Sequence, residues 1–148
     1  MNIKDFLAPA DVIVDMRATD KEQLLRDLSQ RAATALGSDA DFVTAEILKR
    51  EELGSTGMGE GIAIPHARIP KLDRPFGMLA RLRKAIDFAA IDEKPVDLVF
   101  LLLLPRAGEG DQLNALASVA RMLRSPVTSS AIRAARDGAE AYEAIVAA

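Results

Sequence analysis

Val96-Asp97-Leu98-Val99-Phe100-Leu101-Leu102-Leu103-Leu104-Pro105 is the stretch on which the fold turns. No polar residue interrupts it over 98–104. A strand with one wet face alternates apolar and polar side chains, whereas a strand covered on both faces can be apolar throughout. The run is far short of the ~20 residues that span a bilayer. As a central strand it requires a layer of helices on each side, and the flanking sequence supplies candidates.

Upstream, 11–16 reads as a short strand. Thr19 followed by Glu22 has the capping-box pattern. The helix it opens carries Leu24, Leu25, Leu28, Ala32, Ala35 and Leu36 on one face, and Gly37 ends it. A second helix is predicted over 41–53, burying Phe42, Val43, Ile47 and Leu48 and stopped by Gly54. A glycine-rich loop follows over 54–61. Ile62-Ala63-Ile64 reads as extended, because Pro65 disfavours helical backbone at the residue before it. The segment 78–82 is a further strand. Beyond the central strand, a third helix is expected near Asp111, whose carboxylate can cap it. Its buried face is Leu113, Leu116, Ala117, Ala120 and Leu123, and Pro126 breaks it. Two shorter helical segments separated near Gly138 follow, the last burying Tyr142, Ile145 and Val146. Strands interleaved with helices predict a layered α/β sandwich and one domain over 1–148.

Composition narrows the function. The 148 residues are 49% hydrophobic and 28% charged, as in ordinary globular proteins. A chain of this length buries roughly 70% of its unfolded surface and needs no staple. A net charge of −3 and 4% aromatic residues argue against nucleic-acid binding. The absence of Cys removes disulfides, thiolate metal sites and cysteine nucleophiles. A single His excludes a multi-histidine zinc site. No metal and no cofactor is expected. The N-terminus lacks the apolar stretch of a secretion signal, so the expectation is a cytoplasmic protein with no membrane insertion.

His66 stands directly after Pro65 and shortly after Gly54, Gly57, Gly59 and Gly61. Glycines let backbone N–H groups approach an anion, and Ser55 and Thr56 add hydroxyls to the same loop. An imidazole largely neutral at pH 7 can act as a nucleophile. A nucleophile beside an anion-binding loop points to phosphoryl transfer. Nucleotide motifs do not fit: the loop has no Gly-Lys-Ser/Thr, and its glycines break the dinucleotide spacing. Arg50, one or two turns before the loop, has the side chain best suited to hold a phosphoryl group.

The segment 50–67, R-E-E-L-G-S-T-G-M-G-E-G-I-A-I-P-H-A, resembles the active-site signature of the mannitol/fructose-type (type 2) enzyme IIA domains of the bacterial phosphoenolpyruvate:sugar phosphotransferase system. The resemblance extends over nearly the whole chain. As a free-standing chain, it is most similar to the nitrogen-regulatory branch of that family. The resemblance implies a mixed central sheet with helices on both faces, a three-layer sandwich. It also implies that His66 accepts phosphoryl through Nε2 from a phosphohistidine on a small HPr-like carrier. Arg50 would neutralise the phosphoryl oxygens, with Ser55 and Thr56 beside it. At the start of the third helix the family usually has a second histidine followed by Leu. Here Gln112 precedes Leu113, an amide that donates a hydrogen bond but cannot become positively charged.

The expected function is therefore a phosphocarrier that regulates partner proteins according to its phosphorylation state. Two alternatives stand beside it. One is a sugar-specific component passing phosphoryl to a IIB domain, and the other is a non-catalytic binding protein with vestigial phosphorylation. Met58 and Ile62 are candidate contacts for the donor.

Overall fold

The computed structural model of the chain describes residues 2–106 and 109–148, without the side chains of Glu109, Asp111 and Gln112. In chain order the elements are strand β1 (Val12–Met16), helices α1 (Lys21–Leu36) and α2 (Ala40–Glu52), and strands β2 (Gly57–Gly59), β3 (Ile62–Ala63), β4 (His66–Ile69), β5 (Phe76–Ile86) and β6 (Val96–Pro105). Helices α3 (Glu109–Arg124), α4 (Pro126–Ala134) and α5 (Gly138–Val146) complete it.

The apolar run is β6, the axis of a six-stranded sheet ordered β1-β5-β6-β3-β2, with β4 also paired to β6. It runs antiparallel to β5 and parallel to β3 and β4, so the sheet is mixed. Successive strand residues point to opposite faces. Val99, Leu101 and Leu103 accordingly join the core under α1 and α2, with Leu24, Leu28, Val43 and Ile47. Leu98, Phe100, Leu102 and Leu104 join the core under α3, α4 and α5, with Val119, Leu123, Ile132 and Ile145. Val96 falls out of this alternation, where the ladder to β5 shifts register between Arg81 and Ile86. Full burial of one such side chain is worth about 1.5–3 kcal/mol. Both faces of β6 therefore contribute to stability, and the expected α/β sandwich with helices on both faces is what the chain forms.

Local details differ from the sequence reading. The N-cap of α1 is Asp20, not Thr19: its carboxylate accepts the Gln23 N–H at 2.8 Å, and the Gln23 side chain accepts the Thr19 N–H at 3.0 Å. Both Thr19 and Asp20 are competent caps, and the chain uses the one that starts the helix later. Ala33 and Ser29 are buried on α1, whereas Ala35 is exposed. Phe42 is exposed on α2 because Val43, Thr44, Ile47 and Glu51 form its inner face. Helix α3 starts at Glu109, so Asp111 lies inside the first turn rather than at the cap. Its inner face is Ala115, Val119, Met122 and Leu123; Leu113 and Ala117 are exposed, and Leu116 and Ala120 half-buried. Pro126 opens α4 behind a Ser125 cap as well as closing α3, as proline at a first helical position does. On α5, Ile145 is buried while Tyr142 and Val146 are half-buried. Among the described residues, no helix is long and apolar enough to cross a membrane.

Candidate active site

The segment 62–69 lies along one edge of β6 in two pieces. Ile62 and Ala63 pair with Leu98 and Val99, and His66 to Ile69 pair with Leu102 to Pro105. Pro65 interrupts the ladder because it has no N–H, but its carbonyl still accepts the Leu102 N–H at 2.9 Å. His66 thus begins β4 with its backbone hung on the central strand.

The half-buried imidazole of His66 has Nδ1 at 2.8 Å from the Ile64 carbonyl oxygen. A carbonyl only accepts, so Nδ1 carries the hydrogen and Nε2 keeps its lone pair. Burial lowers the pKa of His66 below the ordinary imidazole value; the bond to Ile64 opposes this, Arg50 lowers it further and Glu51 raises it. The ring therefore favours its neutral form at pH 7, with the free lone pair on Nε2.

A cavity of about 290 Å³ adjoins His66, walled by Arg50, Ser55, Thr56, Gly57, Met58, Ile64, Leu116 and Ala120. Arg50 stands in the last turn of α2 and donates from Nη1 to the Gly54 carbonyl at 3.0 Å. A second depression, of about 520 Å³, shares Arg50, His66 and Leu116 with this cavity and is also lined by Leu53 and Leu113, 83% and 70% exposed, and by Arg68 and Arg106. Arg50, Ser55, Thr56 and His66 therefore converge on one cavity. The side chain of Gln112 lies outside the described residues.

The loop hydroxyls are already engaged. Ser55 donates to the Phe88 carbonyl at 2.9 Å and accepts the Gly57 N–H at 3.0 Å. Thr56 donates its hydroxyl to Glu51 Oε1 and its N–H to Glu51 Oε2 at 3.1 Å. Both shape the cavity wall while their hydrogens point elsewhere. Gly57 is needed for packing: a Cβ there would lie 2.8 Å from both Cα and Cβ of Ala90. Ile62 is a core residue and so is not an exposed contact, whereas Met58 is half-buried and lines the cavity beside His66. Leu53 and Leu113 are further apolar residues, both exposed, in the depression that also reaches His66.

Sequence reasoning also missed Glu51 and its partner Lys21, whose Nζ lies 2.8 Å from Glu51 Oε2. One signal was available. Two acidic residues, Glu51 and Glu52, stand at the C-terminus of a helix, where the macrodipole disfavours negative charge.

Comparison with known proteins fits this geometry. The crystal structure of the nitrogen regulatory protein IIA-Ntr from Neisseria meningitidis matches with a TM-score of 0.91 at 28% identity, over 97% of this chain and 98% of that one. The crystal structure of IIA mannitol from Escherichia coli shares the fold, with a TM-score of 0.78 at 16% identity over 93% of this chain and 97% of that one. A nitrogen regulatory protein of Bradyrhizobium diazoefficiens is 42% identical over 145 residues, 98% of this chain and 95% of that protein. The family model for the phosphoenolpyruvate-dependent sugar phosphotransferase system, EIIA 2, matches residues 5–148, and the chain belongs to that family.

Proposed function

We propose that this chain is a single-domain phosphocarrier. It accepts a phosphoryl group on His66 Nε2 from a phosphohistidine of an HPr-like carrier and regulates partner proteins according to that state. The observation that carries the reading is the Nδ1–H bond to the Ile64 carbonyl, which leaves the lone pair on Nε2 free to attack. In the transfer, that lone pair attacks phosphorus as the donor's N–P bond breaks, and the electron pair of the broken bond leaves with the donor imidazole. The hydrogen stays on Nδ1, donated to the Ile64 carbonyl, which supports the positive charge that the phosphorylated ring gains. Arg50 lies at the same cavity and supplies charge-assisted hydrogen bonds to the transferring oxygens. Ser55 and Thr56 contribute the wall against which the phosphoryl group rests. The regulatory role is supported by the name that the Bradyrhizobium relative carries, at 42% identity.

Reconstitution with phosphoenolpyruvate, enzyme I and the HPr-like carrier tests it by intact mass. One phosphoryl group should appear, be lost in acid and persist in base. His66→Ala should take up none while keeping its fold. A His66→Ala protein that still gained one would refute the assignment.

A further inference from the structure

Behind the cavity wall lies a buried polar cluster that the transfer chemistry does not use directly. The Glu51 side chain is 5% exposed and its carboxylate meets three donors: Lys21 Nζ at 2.8 Å, the Thr56 N–H at 3.1 Å and the Thr56 hydroxyl. Lys21 comes from the first turn of α1, 30 residues earlier, and is itself only 25% exposed on its side chain. Its ammonium also donates to the Phe88 carbonyl at 3.2 Å and lies 4.4 Å from the centre of the Phe88 ring. The Ser55 hydroxyl donates to that same carbonyl. Both residues of the loop are thus tied to one ion pair, Thr56 through its acid and Ser55 through the carbonyl shared with its base.

A carboxylate at a helix C-terminus faces an unfavourable dipole and loses hydration when buried. An arrangement this unfavourable in isolation is retained only where its partners satisfy it, and here every named partner beyond Lys21 belongs to the cavity wall. From this we infer that Glu51, held by Lys21, is a positioning residue for phosphoryl transfer: it fixes the backbone and hydroxyl of Thr56 so that the 55–57 wall is preformed around the group arriving at His66. The inference rests on the proposed transfer to His66. Preorganisation of this kind acts on the chemical step, since a wall that must first be assembled lowers the fraction of bound complexes in reactive geometry.

The test is single-turnover phosphorylation by the phosphorylated HPr-like carrier over a range of carrier concentrations. It uses the wild type, Glu51→Gln, Thr56→Val and the double variant, with thermal melts of each. Glu51→Gln keeps an acceptor for Thr56 but loses the ion pair, and Thr56→Val keeps the shape but loses the hydroxyl. The expected result is a roughly tenfold fall in the saturating rate for each single variant, with the half-saturating carrier concentration changed less than about twofold. The double variant should be no slower than the slower single, because both act through one contact. Independent multiplication of the two losses, or an unchanged saturating rate in a folded Glu51→Gln protein, would overturn the positioning role and leave the function of His66 standing. A wild type that takes no phosphoryl group would overturn both. Should Glu51→Gln not fold, Thr56→Val decides alone, and a wild-type saturating rate there would refute the inference.

Discussion

Replacing Lys21 by Met removes the cation from a buried acid while keeping an unbranched side chain against the Phe88 ring. Stripping one member from a buried ion pair costs about 3–5 kcal/mol when the remaining charge is left uncompensated. Glu51 would keep both donors from Thr56, and Lys21 is a quarter exposed, so part of its hydration is never lost on folding. The expected cost is therefore lower, about 2–3 kcal/mol. For a chain near 150 residues, 1 kcal/mol moves Tm by about 2–4 °C, which gives a fall of roughly 5–10 °C. Thermal unfolding at pH 7.5 and moderate salt measures it. Adding Glu51→Gln should recover more than half of the loss, since Gln removes the stranded charge and still accepts from Thr56. If Lys21→Met melts within about 1 °C of the wild type, the pair behaves like a solvated surface bridge worth about 0–1 kcal/mol, and the reasoning fails.

Four further outcomes are expected. Arg50→Ala should slow phosphorylation of His66 by roughly 10- to 100-fold, the equivalent of about 1.5–3 kcal/mol from charge-assisted bonds felt in the transition state; single-turnover rates check it. Burial holds the pKa of His66 below its ordinary value, so the unfolded chain binds the proton more readily than the folded one. The stability this gives is present above about pH 6.5 and is lost as pH falls towards the folded value, so His66→Ala should gain stability relative to the wild type on acidification. For the same reason the acid limb of the phosphorylation rate should have its midpoint below about pH 6.5, and a stopped-flow pH profile with a higher midpoint would contradict it. Leu53→Asp and Leu113→Asp should raise the half-saturating donor concentration several-fold, with stability changed by no more than about 0.5 kcal/mol, because both side chains are exposed beside His66.

What the sequence revealed depended on how local the physics was. The continuous apolarity of 98–104 identified a strand buried on both faces, because no other arrangement in water hides every one of its side chains. Helix existence was legible from apolar spacing, but helix phase was not always. Leu113 was read into the core from its apolarity, yet it sits in the exposed first part of α3, and the smaller Ala115 and Val119 fill the space over β6. His66 and Arg50 were visible because a lone imidazole beside glycines and a guanidinium near a helix end are chemically unusual combinations. Lys21 and Glu51 were not, since each alone is an ordinary helix residue and only the fold brings them to 2.8 Å. Gly57 has a packing role that the sequence does not announce, since the close neighbour that forbids its Cβ is Ala90.

The interrupted pairing of 62–69 against β6 divides the site by how long each part should survive local opening. His66 is carried by backbone laddered to the most deeply buried strand, whose amides should exchange with solvent only on global unfolding. Arg50 stands in the last turn of α2, where helices fray first. The His66 imidazole is thus fixed to the most persistent part of the molecule and the Arg50 guanidinium to a helix end that opens more readily. If His66 takes up phosphoryl as proposed, the incoming group meets a firmly held nitrogen and an adjustable guanidinium, so adaptation to a donor falls to the rim of the site while the reacting atom stays in place.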